Sequence, residues 1–110
     1  MTTFDEREKG FEAKYKHDQE LQFKVGARRN KLLGLWAAEL LGLSGDDAAA
    51  YAREVIESDF DEPGDDDVLR KVHGDFSAKG VDKSQHQVRK HMDELMDVAR
   101  RQIMEEVTGG

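Results

Sequence analysis

Residues 21–43 read LQFKVGARRNKLLGLWAAELLGL and carry the longest periodic pattern of the chain. Apolar side chains recur there at spacings of four, seven, four, four and three residues, the period of one face of an α-helix. Further leucines widen this face, as expected for a helix that packs on two sides. The pattern predicts a helix from about Leu21 to Leu43, softly interrupted at Gly26. Its face comprises Leu21, Val25, Leu32, Trp36, Leu40 and Leu43, widened by Leu33, Leu35 and Leu41.

Three shorter helices are predicted after this one, each from its own start and stop signals. Ser44 offers a cap for the second helix, and Pro63 ends it. The acidic run 65–67 suits the positive end of the third, and Gly80 is placed to stop it. A capping box at residues 84–87 opens the fourth. The predicted inner faces are Ala48, Ala52, Val55, Ile56 and Phe60, then Val68, Leu69, Val72 and Phe76, then Val88, Met92, Leu95, Ala99 and Ile103.

No stretch shows the strict alternation of a half-buried strand, and the predicted connections are short. Four helices joined by short loops favour a compact antiparallel bundle. The fold class is therefore predicted as all-α, a four-helix bundle with a mobile, partly helical N-terminal arm. We expect the arm to comprise residues 1–20 and the bundle residues 21–110.

The first twenty residues have the pattern of a helix with very little of its own to bury. Phe4, Phe11 and Tyr15 form a narrow aromatic stripe at helical spacing, and nearly every other side chain is charged. Burial of three aromatic side chains contributes roughly 2–3 kcal/mol each. Ordering about twenty residues costs roughly 1–2 kcal/mol apiece before helix hydrogen bonds form. We therefore expect the arm to order only against a surface that another molecule supplies.

The chain has 110 residues, no cysteine and a net charge of −7. The negative charge is concentrated in residues 46–67, which hold ten acidic side chains and one basic, whereas the flanking segments each carry +1. This distribution argues against general nucleic-acid binding, which needs a basic face. The N-terminus lacks the pattern of a signal peptide, and no window is long and apolar enough to span a membrane. A cytoplasmic protein without disulfides, and monomeric when free, is expected.

Metal binding and catalysis have little support in the sequence. A twelve-residue calcium loop starting at Asp59 would place Pro63 at its fifth position and Arg70 at its twelfth, where oxygen ligands are required. The four histidines form no i, i+4 pair, and no serine or threonine has a recognisable nucleophile setting. We therefore expect no metal, no cofactor and no enzyme activity.

A basic cluster in the long predicted helix offers one candidate ligand site. Lys24, Arg28, Arg29 and Lys31 could hold the phosphates of ATP or ADP weakly, although no P-loop is present. The alternative, which we favour, is a solvated face whose cations pair with the acidic block 46–67.

Three collinear runs resemble one known family over nearly the whole chain. They are TFDEREKGFEAK at residues 3–14, ARRNKLLGLWAAE at 27–39 and DDDVLRKV at 65–72. These runs resemble the zeta subunit of the F-type ATP synthase of alpha-proteobacteria. Departures from the family pattern include Gly10, a divergent stretch between Gly80 and Gln85, and a divergent C-terminus.

The resemblance implies a small inhibitor protein rather than an enzyme. In that family a mobile N-terminal segment of a four-helix bundle enters the catalytic head at an alpha–beta interface beside the gamma rotor and blocks ATP hydrolysis. The matching segment here is residues 3–14, extended through Tyr15 to His17. The partner would be the alpha, beta and gamma subunits, at the inner face of the membrane. We hypothesise that the contacting residues are Phe4, Phe11 and Tyr15 in apolar pockets, with Asp5, Arg7, Glu8 and Lys14 in ion pairs.

Two other functions stay open at this point. The chain could be a small regulatory protein that binds adenine nucleotide through the basic cluster, and such binding could also modulate an inhibitor. An unrelated scaffold bundle is the remaining alternative.

Overall fold

A computed structural model of the chain describes the backbone of residues 2–59 and 65–108, and the side chains from residue 19 onward within those ranges. Four helices make up nearly all of it, and the described ranges contain no strand. In chain order they are α1 (Thr2–Leu40), α2 (Gly45–Ser58), α3 (Asp66–Lys79) and α4 (Gln85–Val107). The all-α, four-helix prediction is confirmed.

α1 is a single helix of 39 residues, about 58 Å long at 1.5 Å per residue. It runs through the predicted division at residue 20 and through Gly26 without a break, so the soft interruption expected at Gly26 is wrong. The backbone of the arm is therefore helical and continuous with the bundle. That residues 1–20 behave as a separate unit stays a prediction.

Capping interactions are present at the start of α4 and the end of α3, whereas the side chains of Ser44 and Asp65 at the starts of α2 and α3 make no capping hydrogen bond. The Ser84 hydroxyl accepts a hydrogen bond from the Gln87 amide at 3.1 Å, and the Gln87 side chain accepts one from the Ser84 amide at 2.9 Å, which confirms the predicted capping box. Gly80 ends α3 with φ at +73°, a left-handed conformation that glycine adopts without steric cost. The expected stop at Pro63 lies outside the described residues.

α1 packs against each of the other helices, with α2 and α4 on different sides of it. Both neighbours run antiparallel to α1. Asn30 pairs with Asp59 near the end of α2, while Gly34 lies against Ala52 nearer its middle. On the other side, Arg28 contacts Glu106 late in α4 and Trp36 stacks on His91 early in it. The prediction of a helix packed on two sides is confirmed.

The most buried line of α1 differs from the predicted one. Leu33, Ala37 and Ala38 are fully buried, whereas Leu40 and Leu35 are substantially exposed. The predicted stripe contained the large residues of α1, but α2 approaches along a line of small ones. A line of leucines there would hold the two helices apart, so the small residues take the centre of the core.

The core lies among all four helices. Trp36 is half-buried and packs against it, with its ring edge-on to Phe76 at a centroid distance of 5.6 Å. Tyr51 is a buried core residue that the predicted inner face of the second helix omitted. The buried cluster consists of Leu33, Ala37, Ala38, Tyr51, Val55, Val68, Leu69, Val72, Phe76, Val88 and Met92.

The closest approach of α1 and α2 depends on a glycine. A Cβ atom at position 34 would lie 2.6 Å from the Cα of Ala52, whereas a Cβ at position 26 would meet no atom within 4 Å. Gly34→Ala must push the two helices apart, and we expect it to lower the free energy of unfolding by about 1–3 kcal/mol. Gly26→Ala should raise that free energy by about 0.5–1 kcal/mol, because alanine favours the helix.

Urea unfolding of the two variants, followed by circular dichroism, measures both effects. Equal stability of Gly34→Ala and Gly26→Ala would contradict the proposed helix–helix contact.

Candidate functional site

The residues predicted to contact a partner lie on the N-terminal half of α1. At about 100° per residue, positions 4, 11 and 15 share a narrow arc of the helix with positions 29 and 33, which are buried in the bundle. The aromatic positions of the arm therefore continue the register of the core-facing side of α1. The side chains of Phe4, Asp5, Arg7, Glu8, Phe11, Lys14 and Tyr15 lie outside the described residues.

The four cations of the candidate nucleotide site do not converge. Lys24 and Lys31 are exposed on α1. Arg28 reaches across to α4, where it donates to Gln102 Oε1 at 2.9 Å and to Glu106 Oε1 at 2.6 Å. Arg29 points into the bundle and is only 2% exposed. A phosphate site using all four side chains is therefore not assembled in this structure.

Arg29 and its neighbour Asn30 connect α1 to both ends of the α2–α3 connection. Arg29 Nη2 donates to Asp65 Oδ1 at 2.8 Å, and Arg29 Nε donates to Asn30 Oδ1 at 2.7 Å. Asn30, 1% exposed, in turn donates through Nδ2 to Asp59 Oδ2 at 2.9 Å. We call these four residues the Arg29 network. It fixes residues 59 and 65 against the same turn of α1.

The predicted pairing of the basic cluster with the acidic block is thus confirmed for Arg29. The prediction that Arg29 lies on a solvated face is wrong, because its side chain is buried. The sequence pattern could not distinguish the two, because neighbouring cations on a helix read as surface unless their partners are known. A buried guanidinium is tolerated only when charge and hydrogen bonds compensate its lost hydration. Asp65 supplies the charge, and Asn30 accepts a further hydrogen bond.

A second polar group joins α2 to α3. The Tyr51 hydroxyl donates to Asp75 Oδ2 at 2.8 Å, and Lys71 Nζ donates to the same oxygen at 3.1 Å. Lys71 also lies 3.8 Å from Glu54 Oε2 and 5.2 Å from the centre of the Tyr51 ring. Burial raises the pKa of Tyr51 well above its ordinary value, and the hydrogen bond to Asp75 adds to the effect. Tyr51 therefore stays a neutral donor that links the helices.

The described residues were also compared with the requirements of a metal-binding cluster and of a membrane-spanning helix. Among the described residues, no set of three or more histidine, cysteine or acidic side chains could hold a metal ion. Within the same ranges, no helix has a stretch apolar and long enough to cross a bilayer. The fold and its polar contacts define a small four-helix protein with an apolar core, in which hydrogen bonds and ion pairs also link neighbouring helices.

Comparison with known proteins identifies the family. The model of the family described as ATPase inhibitor subunit zeta matches residues 1–102. The chain therefore belongs to the ATPase inhibitor subunit zeta family, as the sequence resemblance implied. This family is regulatory, and its name assigns it to inhibition of an ATPase.

A solved structure supports the fold independently. A protein determined by solution NMR is 53% identical, with a TM-score of 0.70, and the match covers 78% of this chain and 98% of that one. No curated protein sequence matches significantly.

The Arg29 network should make stability depend on acid pH. The hydrogen bond from Arg29 holds the pKa of Asp65 below its ordinary value of 3.8, against the opposing effect of burial. A carboxyl whose pKa is lower in the folded state stabilises the fold above about pH 4 and loses that contribution as pH falls further. We expect Asp65→Asn to lower the free energy of unfolding at pH 7 by about 1–3 kcal/mol and to weaken its fall between pH 5 and pH 3.

Asp66→Asn is the matched control, because Asp66 forms an exposed pair with Arg89 that should contribute under about 1 kcal/mol. Urea unfolding at several pH values tests both variants. An unchanged acid slope in Asp65→Asn would contradict the assignment.

Nucleotide binding by Lys24, Arg28 and Lys31 stays a prediction. Arg29 is left out of this site because its side chain is buried and paired with Asp65. Titration with ATP, followed by amide chemical shifts, should give saturable shifts at Lys24, Arg28 and Lys31 if the site exists. Absence of shifts at millimolar ATP would remove the hypothesis.

Proposed function

We propose that this chain inhibits ATP hydrolysis by the F-type ATP synthase by inserting its N-terminal segment at an alpha–beta interface of the catalytic head, beside the gamma rotor subunit. The inserted segment is residues 3–17. The bundle stays outside and serves as a bulky stop. Binding takes place at the inner, cytoplasmic face of the membrane, and the free chain is a monomer.

The observation that carries this proposal is the family match, which begins at residue 1 and so includes the whole arm. The geometry of α1 supports it. α4 ends at Val107, and its last turns face the stretch of α1 near Leu21 and Arg28. α2 ends at Ser58, close to Asn30. The arm extends beyond the level at which both flanking helices end.

The register of the aromatic stripe supports the same role. Positions 4, 11 and 15 continue the side of α1 that the other helices cover within the bundle. In the docked state, the partner would therefore supply the apolar contacts that α2, α3 and α4 supply to the rest of α1. Phe4, Phe11 and Tyr15 fill pockets at the subunit interface.

Charged residues of the arm give the docking its orientation. Asp5, Arg7, Glu8 and Lys14 belong to the same arm and pair with charges along the interface. Gly10 lowers the helix propensity of the arm by about 1 kcal/mol relative to alanine. The arm helix of the free chain therefore opens part of the time and becomes fully ordered on docking. This ordering costs affinity but lets the segment enter a closing cleft.

Deletion of residues 1–17 tests the proposal. The truncated chain should keep the helical content of the bundle and lose inhibition of ATP hydrolysis by the purified catalytic head. Within the full chain, Phe11→Ala and Tyr15→Ala should each raise the half-inhibitory concentration by about tenfold or more, as expected for buried aromatic anchors.

Lys9→Ala and Lys16→Ala are matched controls, since both positions lie on the side of the arm away from the stripe. These two variants should inhibit within about twofold of the parent chain. Full inhibition by the truncated chain would overturn the proposal.

A further inference from the structure

A groove lies between α1 and the second half of α4, directly at the base of the arm. Its volume is about 420 Å³. Four apolar side chains, one amide and one guanidinium line it. The lining residues are Leu21, Val25, Met96 and Met104, with Gln22 and Arg100.

The groove lies where α4 ends beside α1, which continues into the arm. On the last turns of α4, Met104 is 49% exposed and Val107 is substantially exposed. Leu21 lies six residues after Tyr15 on one continuous helix, a rise of about 9 Å. Gln22 continues the arc of the aromatic stripe into the groove, and Leu21 and Val25 lie to one side of that arc.

The chemistry of the groove suits an amphipathic helix. Methionine side chains are flexible and polarizable, so Met96 and Met104 can adapt to a partner surface. Arg100 is 63% exposed, and its pair with Asp97 at 3.3 Å is equally open to water. Such an exposed pair contributes little to stability, so the guanidinium is available to a carboxylate on a partner.

We propose that this groove is the second half of the surface that docks on the ATP synthase head. Its occupant is an amphipathic helix of the head whose polar edge presents a carboxylate to Arg100. The inference rests on the proposed function, because it takes the partner of the arm as the partner of the groove. The arm blocks the rotor, and the groove adds affinity and orients the bundle on the head.

Two arguments favour this occupant over others. The groove is continuous with the arm along one helix, so a partner bound to the arm is already held against it. The groove combines apolar side chains with the exposed guanidinium of Arg100, a combination complementary to an amphipathic helix with an acidic edge. A second copy of this chain, or its own arm folded back, are the competing occupants that the test must separate.

The experiment compares groove variants with matched controls elsewhere on the same helices. Met104→Lys and Arg100→Glu alter the groove. Leu40→Lys places the same charge on an exposed apolar residue at the far end of α1, and Arg101→Glu reverses the adjacent exposed cation of α4. Each full-length variant is first checked for unchanged helical content and melting temperature.

Two quantities are then measured for each variant: its affinity for the purified catalytic head and its half-inhibitory concentration for ATP hydrolysis. We expect Met104→Lys and Arg100→Glu to weaken binding and raise the half-inhibitory concentration about tenfold, with full inhibition still reached at saturation. Leu40→Lys and Arg101→Glu should match the parent chain.

The possible failures are distinguishable. If the parent chain inhibits and the groove variants match it, the groove proposal is overturned and the proposed function stands. If the groove variants weaken binding but deletion of residues 1–17 leaves inhibition intact, the role of the arm fails and the groove remains. A parent chain that does not bind the head overturns both.

The competing occupants have their own outcomes. Sedimentation that detects a dimer dissociated by Met104→Lys, with unchanged head affinity, would assign the groove to a second copy. Tighter head binding by the groove variants would assign it to the arm folded back, and would overturn the proposal.

Discussion

Close packing of α1 against α2 at Gly34 is the contact on which the arrangement of the bundle depends. The Cα of Ala52 occupies space that a Cβ at position 34 would need. With α2 held this close on one side of α1, Arg29 and Asn30 reach Asp65 and Asp59 at the ends of the α2–α3 connection. The opposite side of α1 is then left for α4, which packs along it in the antiparallel direction.

One long helix therefore has two halves in different surroundings. Its second half is covered by the other three helices, and its first half continues the same register past the points where α2 and α4 end. The chain belongs to the ATPase inhibitor subunit zeta family, whose model matches both halves of this helix. In our proposal, the arm presents to the ATP synthase head the side of α1 that the bundle uses for its core, and the groove beside Leu21 extends that surface onto the bundle.

Periodicity and capping chemistry predicted the helices because both are local properties of the chain. The capping box at Ser84 and the glycine stop at Gly80 were found correctly for that reason. The buried line of α1 was misjudged, because large apolar residues dominate a periodic pattern while the small residues Ala37 and Ala38 allow the helices to meet. Close packing depends on the residues of the neighbouring helix, and the periodic pattern of one helix does not show which residues those are.

The candidate site also has features that are visible in the sequence and features that only the fold reveals. The arm could be proposed as a partner-binding segment from the sequence, since an aromatic stripe among charges is visible without a fold. The burial of Arg29 could not be, because Asp65 is distant in the chain and only the packed helices bring the two together. The groove was likewise hidden, since Leu21 and Met104 come from opposite ends of the sequence.

The central claim is that the arm orders fully only against the ATP synthase head. Amide hydrogen exchange along α1, measured for the free chain and for the chain bound to the purified catalytic head, tests it most directly. The account predicts strong protection from about residue 29 onward in both states, and protection of residues 4–17 that appears only on binding. Arm amides as protected in the free chain as those of residues 33–38, or unchanged when the head is bound, would contradict it.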